Sequence, residues 1–276
     1  MLAGIEILPF RTPTLAPATH TNTWVVGRGD LVVVDPASPY PEEQAALFEH
    51  ISVRMEMGER VAKIVLTHHH HDHVMGAMHL ASQLESAQSR PPIAAHIATA
   101  ELLSGTVDID ERIEHNTSHD WGGRRITAIH TPGHAPGHLV FFDEDAHWMI
   151  AGDMVAGIGT ILLHPAEGDL GDYLASLQKM RARTPSVLLP SHGPNLTSPT
   201  AVIDMYVAHR HLRSQQIGEA LQRLGRSTAE QLASAVYTEL EPRYIKVATL
   251  QVQTHLAWMV RNGMAIEAGE AHWLPA

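Results

Sequence analysis

Residues 67 to 73 read Thr67-His68-His69-His70-His71-Asp72-His73, a run that fits His-x-His-x-Asp-His. Imidazole and carboxylate are suitable donors for Zn²⁺, Fe or Mn²⁺, at about 2.0 to 2.2 Å. The spacing lets His68 and His70 hold one cation while Asp72 and His73 hold a second. Two metals in one cleft stand about 3.5 to 4 Å apart. The run is internal and interrupted by Asp72, unlike a terminal purification tag.

Two cations need more donors than one segment supplies, and the chain offers them at three later points. Thr131-Pro132-Gly133-His134-Ala135-Pro136-Gly137-His138 is a Gly/Pro-punctuated loop that can turn His134 inward. Trp148-Met149-Ile150-Ala151 reads as a strand ending at Gly152-Asp153, which places a carboxylate at a strand tip where it can bridge two cations. Val187-Leu188-Leu189-Pro190 runs into Ser191-His192-Gly193, a second apolar strand ending in a histidine beside a glycine.

The elements that must position these side chains follow from hydrophobic patterning. Val61-Ala62-Lys63-Ile64-Val65-Leu66 delivers the first cluster to a strand end, with a strand expected over 61–67 and a helix over 74–87. Further strands are expected over 92–97 and 139–142. A helix capped by Asp residues within Gly168-Asp169-Leu170-Gly171-Asp172 should run to about Arg183. This is a mixed α/β pattern that several layered architectures would satisfy.

With these residues in place, the chain resembles a metallo-β-lactamase superfamily hydrolase. The resemblance rests on His68-x-His70-x-Asp72-His73, His134, Ala151-Gly152-Asp153 and Ser191-His192-Gly193, in the family's order. Thr21-Asn22-Thr23-Trp24 and Val32-Val33-Val34-Asp35 resemble the family's opening strands. The resemblance implies an αββα sandwich with the metals at one edge between the sheets. It also implies one metal on His68, His70 and His134, another on Asp72, His73 and His192, and Asp153 bridging them. Asp35 would then orient an imidazole from behind; otherwise it is a turn residue before Pro36. Of the remaining histidines, His69 and His71 should point away from the metals or line the cleft, His138 should pack beneath its loop, and His164 lies where a substrate-facing loop is expected.

At 276 residues the chain can bury a substantial core. It has no cysteine, which excludes a thiolate ligand and any disulfide, and argues against antibiotic-hydrolysing relatives that use a cysteine ligand. No apolar run approaches the roughly 18 residues of a membrane span, and Met1 to Glu6 lack the pattern of a secretory signal, so a cytoplasmic protein is expected. The net charge is −11, and residues 201–276 carry seven Lys/Arg and seven Asp/Glu, so the acidic excess belongs to the metal-bearing part. Such a surface disfavours non-specific nucleic-acid binding.

Beyond residue 198 the pattern changes. Ser198-Pro199 opens a long helix to Leu224 that Gly225 ends; Ser227-x-x-Glu230 reads as a capping box for a second helix to about Tyr237; and Pro242 starts a third that Gly263 stops. Met264 to Glu267 and Ala271 to Leu274 make a hairpin. This gives a catalytic unit at 1–198 and a C-terminal unit at 199–276 that looks like a winged helix. Such a tail is similar to a superfamily branch containing an endoribonuclease-like mitochondrial hydrolase of animals and polyketide-associated thioesterases. The would-be recognition helix offers only Arg243, Lys246 and Arg261, so a cleft wall or homodimer contact is the expected role rather than DNA binding.

The expected function is hydrolysis by a hydroxide between two divalent cations, most simply Zn²⁺, with Fe or Mn as alternatives. Asp72 is the candidate catalytic residue, and a small thioester or ester the expected substrate. Alternatives are a single-strand endoribonuclease or phosphodiesterase, a glyoxalase II-like hydrolase, and a mononuclear iron sulfur dioxygenase using His68, His70 and His134. A non-enzymatic nucleic-acid-binding module is disfavoured.

Overall fold

The computed structural model of the chain describes residues 4–276. Strands β1 (Ile5–Arg11), β2 (His20–Val26) and β3 (Asp30–Val34) form an antiparallel meander, followed by helix α1 (Pro41–Glu56) and strand β4 (Arg60–Val65). Two helices come next, α2 (His71–Val74) and α3 (Ala77–Glu85), then β5 (Ile93–Ala95), α4 (Ile97–Leu102) and β6 (Glu111–Arg112). These six strands make one sheet in sequence order, parallel from β3 onward.

The second sheet contains β7 (Thr117–Asp120), β8 (Arg125–His130), β9 (Leu139–Asp143), β10 (Trp148–Gly152) and, beyond helix α5 (Leu170–Ala182), β11 (Val187–Pro190). It is antiparallel except for the β10–β11 pair. Strand alternation sorts the core into layers. Val32 and Val34 face Trp24, Ile126, Phe141, Trp148 and Leu189 between the sheets. Leu31 and Val33 face the other way, onto Leu47, Ile51, Leu80 and Leu84 of α1 and α3. On the second sheet Val140, Phe142, Met149 and Leu188 pack against Tyr173 and Leu177 of α5. The central strands of both sheets are covered on both faces, which is why they read as continuous apolar runs. The expected αββα sandwich is the fold.

Two local expectations shift here. The helix anticipated over 74–87 is divided at Gly76, where any Cβ would lie 2.5 Å from the Pro36 carbonyl oxygen. The strand over 92–97 is shorter, because the His96 ring accepts from Ala98 N–H and starts α4. The helix from Asp169 and the strand from Leu139 fall where patterning placed them.

After residue 198 come α6 (Pro199–Leu224), β12 (Ser227–Thr228), α7 (Ala229–Val236), α8 (Ile245–Arg261) and strands β13 (Ala265–Glu267) and β14 (His272–Pro275). The capping box sits one residue later than Ser227-x-x-Glu230: Thr228 and Gln231 make the reciprocal bonds. Ser227 instead pairs with Trp273, so the hairpin gains β12 as a third strand. Ile217, Leu221, Leu232, Val252 and Leu256 form a separate apolar cluster here, and fully burying each such side chain contributes about 1.5–3 kcal/mol. Among the described residues no helix is long and apolar enough to cross a membrane.

Candidate metal centre

All the singled-out side chains lie at one edge of the sandwich, past the ends of β3, β4, β8, β10 and β11. His68 Nε2 is 3.0 Å from His70 Nδ1, and His134 Nε2 is also 3.0 Å from His70 Nδ1. Beside this trio, His192 Nε2 lies 3.6 Å from Asp72 Oδ2, and His73 Nε2 lies 3.9 Å from Asp72 Oδ1. Asp153 stands between the two groups. Its Oδ2 is 3.6 Å from His134 Nε2, and its Oδ1 is 3.7 Å from His73 Nε2 and 3.5 Å from His192 Nε2. The structure therefore brings together His68, His70, Asp72, His73, His134, Asp153 and His192.

The direction of each imidazole is set from behind. His73 Nδ1 donates to Asp35 Oδ2 at 2.9 Å, His70 Nε2 to Glu167 Oε1 at 2.8 Å, His134 Nδ1 to the Leu162 carbonyl at 3.0 Å and His192 Nδ1 to the His20 carbonyl at 3.0 Å. Thr67 Oγ1 donates to Asp35 Oδ2 at 2.6 Å, which leaves it to accept from His68 Nδ1 at 3.0 Å. Carbonyls and carboxylates only accept, so the proton of each neutral ring is on its outer nitrogen and the inner nitrogen presents a lone pair. Such backing of each imidazole is the arrangement found behind metal ligands.

Lone pairs facing one another at 3.0 Å without a proton between them need a cation. Two of the inward atoms, His73 Nε2 and Asp153 Oδ1, are buried with no hydrogen-bond partner among the described residues. The donor set of five imidazoles and two carboxylates, with no thiolate, fits divalent cations such as zinc, iron or manganese.

Electrostatics divide the cluster. Burial pushes His68 well below the ordinary histidine range, helped by His73, His70 and His134 around it, and burial with His70 takes His134 down to about 4. Both rings are neutral at pH 7. Burial acts the same way on His73 and His192, but Asp153, joined at His73 by Asp72, outweighs it and holds both imidazoles above their usual value. Burial would raise the Asp153 carboxyl, yet His192 and His73 hold it well below the carboxylate range.

The supporting residues show what sequence reasoning missed. Asp35 does sit behind an imidazole, with Oδ1 also accepting Thr67 N–H at 2.7 Å. His138 does more than pack beneath its loop: its Nε2 accepts the Asp153 N–H at 3.0 Å and its Nδ1 donates to Thr131 Oγ1. Gly152 has φ +54°, and a Cβ there would come within 2.4 Å of His138 Nε2, so the strand tip carrying Asp153 requires glycine. His71 is exposed, whereas His69 turns toward Glu167 and donates to its Oε2 at 2.8 Å. His164 is tied to its own turn by Ala166 N–H. Glu167, unmarked by any motif, is held far below the ordinary carboxylate range: burial opposes this, but the hydrogen bonds from His69 and His70 prevail.

This edge-of-sandwich cluster on an αββα frame defines a class. The metallo-beta-lactamase superfamily model matches residues 16–192, and the chain belongs to that family of hydrolases. Among relatives, it is 28% identical over 272 residues to the lactamase-like protein vrtG of Penicillium aethiopicum, covering 94% of this chain and 82% of that one. It is 28% identical over 267 residues to an atrochrysone carboxyl ACP thioesterase of Claviceps purpurea, covering 92% and 80% respectively. Among solved structures, a beta-lactamase domain protein from Burkholderia ambifaria superposes with a TM-score of 0.86 at 20% identity, covering 99% of this chain and 91% of that chain.

Proposed function

We propose that the protein is a dinuclear metal-dependent hydrolase acting on a small thioester or related ester. The observation that carries the reading is the set of inward lone pairs, each fixed by an acceptor behind its ring. His68, His70 and His134 would hold one cation, Asp72, His73 and His192 the other, and Asp153 would bridge them with its two oxygens. Zinc is the simplest occupant of this set. Cations held there supply Lewis acidity, acidifying water toward a pKa of about 7 and polarising an acyl oxygen.

The chain's own residues do the rest. Asp72 keeps part of its carboxylate open to the cleft, so it can accept the hydrogen bond of the attacking water and orient a lone pair toward the acyl carbon. Asp35, Glu167 and the Leu162 and His20 carbonyls hold the imidazoles in one tautomer, so the site needs no reorganisation during reaction. A thiolate leaves without a protein acid. Leu15 and Ile158 are exposed on two loops that meet where Gly159 approaches Pro17; one leads to His20 and the other is joined to His192 through Gly157 N–H. That apolar rim suits an acyl chain, and a relative that this chain covers over 80% of its length is named a thioesterase.

We read residues 1–198 as the catalytic unit and 199–276 as a winged-helix-like unit, supported by the order helix, short strand, helix, helix, hairpin. The test is a panel of acyl thioesters, lactones, nitrocefin and short RNA, assayed with and without chelator, beside elemental analysis. Thioester turnover with close to two zinc per chain supports the reading; one iron per chain, or RNA cleavage alone, defeats it. His70→Ala and Asp72→Ala should abolish turnover and keep the fold.

A further inference from the structure

Residues 154–169 cross from β10 to α5 as a strap between the metal centre and the C-terminal helices, and its backbone is held from both sides. On the outer side, Tyr206 of α6 accepts Ala156 N–H at 2.9 Å through its hydroxyl. Arg210, buried on the same helix, donates Nη2 to the Ile161 carbonyl at 2.6 Å. From α8, Gln251 Oε1 accepts Leu163 N–H at 3.1 Å, Thr254 Oγ1 donates to the Leu163 carbonyl at 2.6 Å, and Arg261 pairs with Asp169. On the inner side, the strap supplies the Leu162 carbonyl to His134 and the Glu167 carboxylate to His70.

Residues 161 to 163 interleave. The carbonyls of Ile161 and Leu163 face the C-terminal helices, and the one between them faces the metal centre. Peptide groups alternate in this way along extended chain, so fixing the outer pair fixes the direction of the inner one. Ile161 and Leu163 are buried as well, packed with Tyr173, Ile203 and Tyr206. Arg210 meets no carboxylate among the described residues; its guanidinium lies over the Tyr173 ring and spends its hydrogen bond on the strap. A buried charge with no ionic partner is costly, and here it donates a hydrogen bond to this backbone.

We propose that the C-terminal helices act as a clamp that positions half of the metal centre through the strap, with Arg210, Gln251 and Thr254 as positioning residues for His134 and His70. This rests on reading those two histidines as ligands. The half made by Asp72, His73 and His192 takes the acceptors behind its imidazoles from Asp35 and the His20 carbonyl, outside the strap; the strap meets it through backbone, Gly157 N–H to the His192 carbonyl, away from Gln251 and Thr254.

The test is titration of the metal-stripped full chain with Zn²⁺ against a chromophoric chelator, and with Co²⁺ followed by its visible absorption. Gln251→Leu/Thr254→Val should weaken one of two binding steps by about 10–100-fold, the cost of losing support behind a ligand, and should shift the absorption of that cobalt ion alone. Thr254→Ser, which retains the hydroxyl, should bind as the unaltered chain does. So should Thr249→Val, on the same helix with its hydroxyl bonded to the Ile245 carbonyl one turn back. Unchanged binding by the double variant overturns the clamp, as does equal weakening of both steps. If the double variant loses its circular-dichroism signature, Thr254→Val alone makes the same comparison. Loss of a step in His134→Ala with no effect of the double variant sinks the clamp only; two intact steps in His134→Ala and His70→Ala sink the ligand assignment as well.

Discussion

Asp35→Asn isolates the electrostatics behind the metal centre from its packing. Asp35 is fully buried with φ +47°, a conformation that asparagine tolerates, so the backbone need not move. Its carboxylate accepts three hydrogen bonds: Thr67 N–H on Oδ1 at 2.7 Å, and Thr67 Oγ1 at 2.6 Å with His73 Nδ1 at 2.9 Å on Oδ2. An amide cannot satisfy all three. With its oxygen toward Thr67 N–H, its NH₂ meets His73 Nδ1 and drives that ring's proton onto Nε2, the inward nitrogen. With the amide reversed, its NH₂ opposes Thr67 N–H. Either arrangement costs about 1–3 kcal/mol, matching the roughly 10–100-fold loss of metal affinity expected when support behind a ligand is removed. Zinc affinity and content by calorimetry and elemental analysis, with far-ultraviolet circular dichroism as a fold control, should register a loss, largest at the cation that His73 would hold and smaller at the one His68 would hold through Thr67, and a parallel fall in thioester turnover. An Asp35→Asn protein that keeps its full zinc complement at unchanged affinity would refute the tautomer argument.

Glu167→Gln should weaken the other cation, again by about 10–100-fold, because His70 Nε2 loses a charged acceptor; competition with a chelator measures it. Gly152→Ala forces a Cβ to within 2.4 Å of His138 Nε2 at positive φ, so denaturant unfolding should show a loss of about 1–3 kcal/mol together with reduced metal content. His255 lies fully buried between α6 and α8, bonded to Ser214, and burial with Arg210 and His209 pushes it down to about 3. Its unfolded value is about 6.5, so the unfolded chain gains a proton first. Stability from the neutral ring is complete above that pH and is lost as pH falls toward 3, by up to about 1.4 kcal/mol per unit. The chain should therefore lose about 2 kcal/mol more than His255→Leu between pH 7 and pH 5, and equal losses in urea titrations would contradict the assignment.

The inward-facing residues were legible because each lies just past a strand or in a Gly/Pro loop, where donor type and local punctuation coincide: His68 to His73 after β4, Asp153 after β10, His192 after β11 and His134 before β9. The strands alone, whose apolar runs reflect burial on both faces, indicated only a mixed α/β pattern; the sandwich was implied by the family resemblance. Glu167 was not legible. It stands 97 residues from His70 on an irregular segment, and its position depends on α6 and α8 gripping that segment. The Leu162 and His20 carbonyls carry no residue-type signal at all. The division at Gly76 was hidden for a similar reason, since only the three-dimensional approach of Pro36 reveals it.

The acceptors behind the five imidazoles are not equivalent. In each half of the cluster one ring is backed by a carboxylate, His70 by Glu167 and His73 by Asp35, while His134 and His192 are backed by neutral carbonyls. A carboxylate raises the basicity of the ring it faces, so each half has one stronger donor and shares the Asp153 charge with the other. Those two carboxylates come from different parts of the fold: Asp35 follows β3 in the first sheet, and Glu167 sits on the strap between β10 and α5. The donor strength of the two halves is thus set by separate parts of the fold, one rooted in the buried sheet and the other held through side-chain bonds to the C-terminal helices. A change in how those helices sit would reach His70 and His134 through the strap before it reached His73, which Asp35 holds from the first sheet.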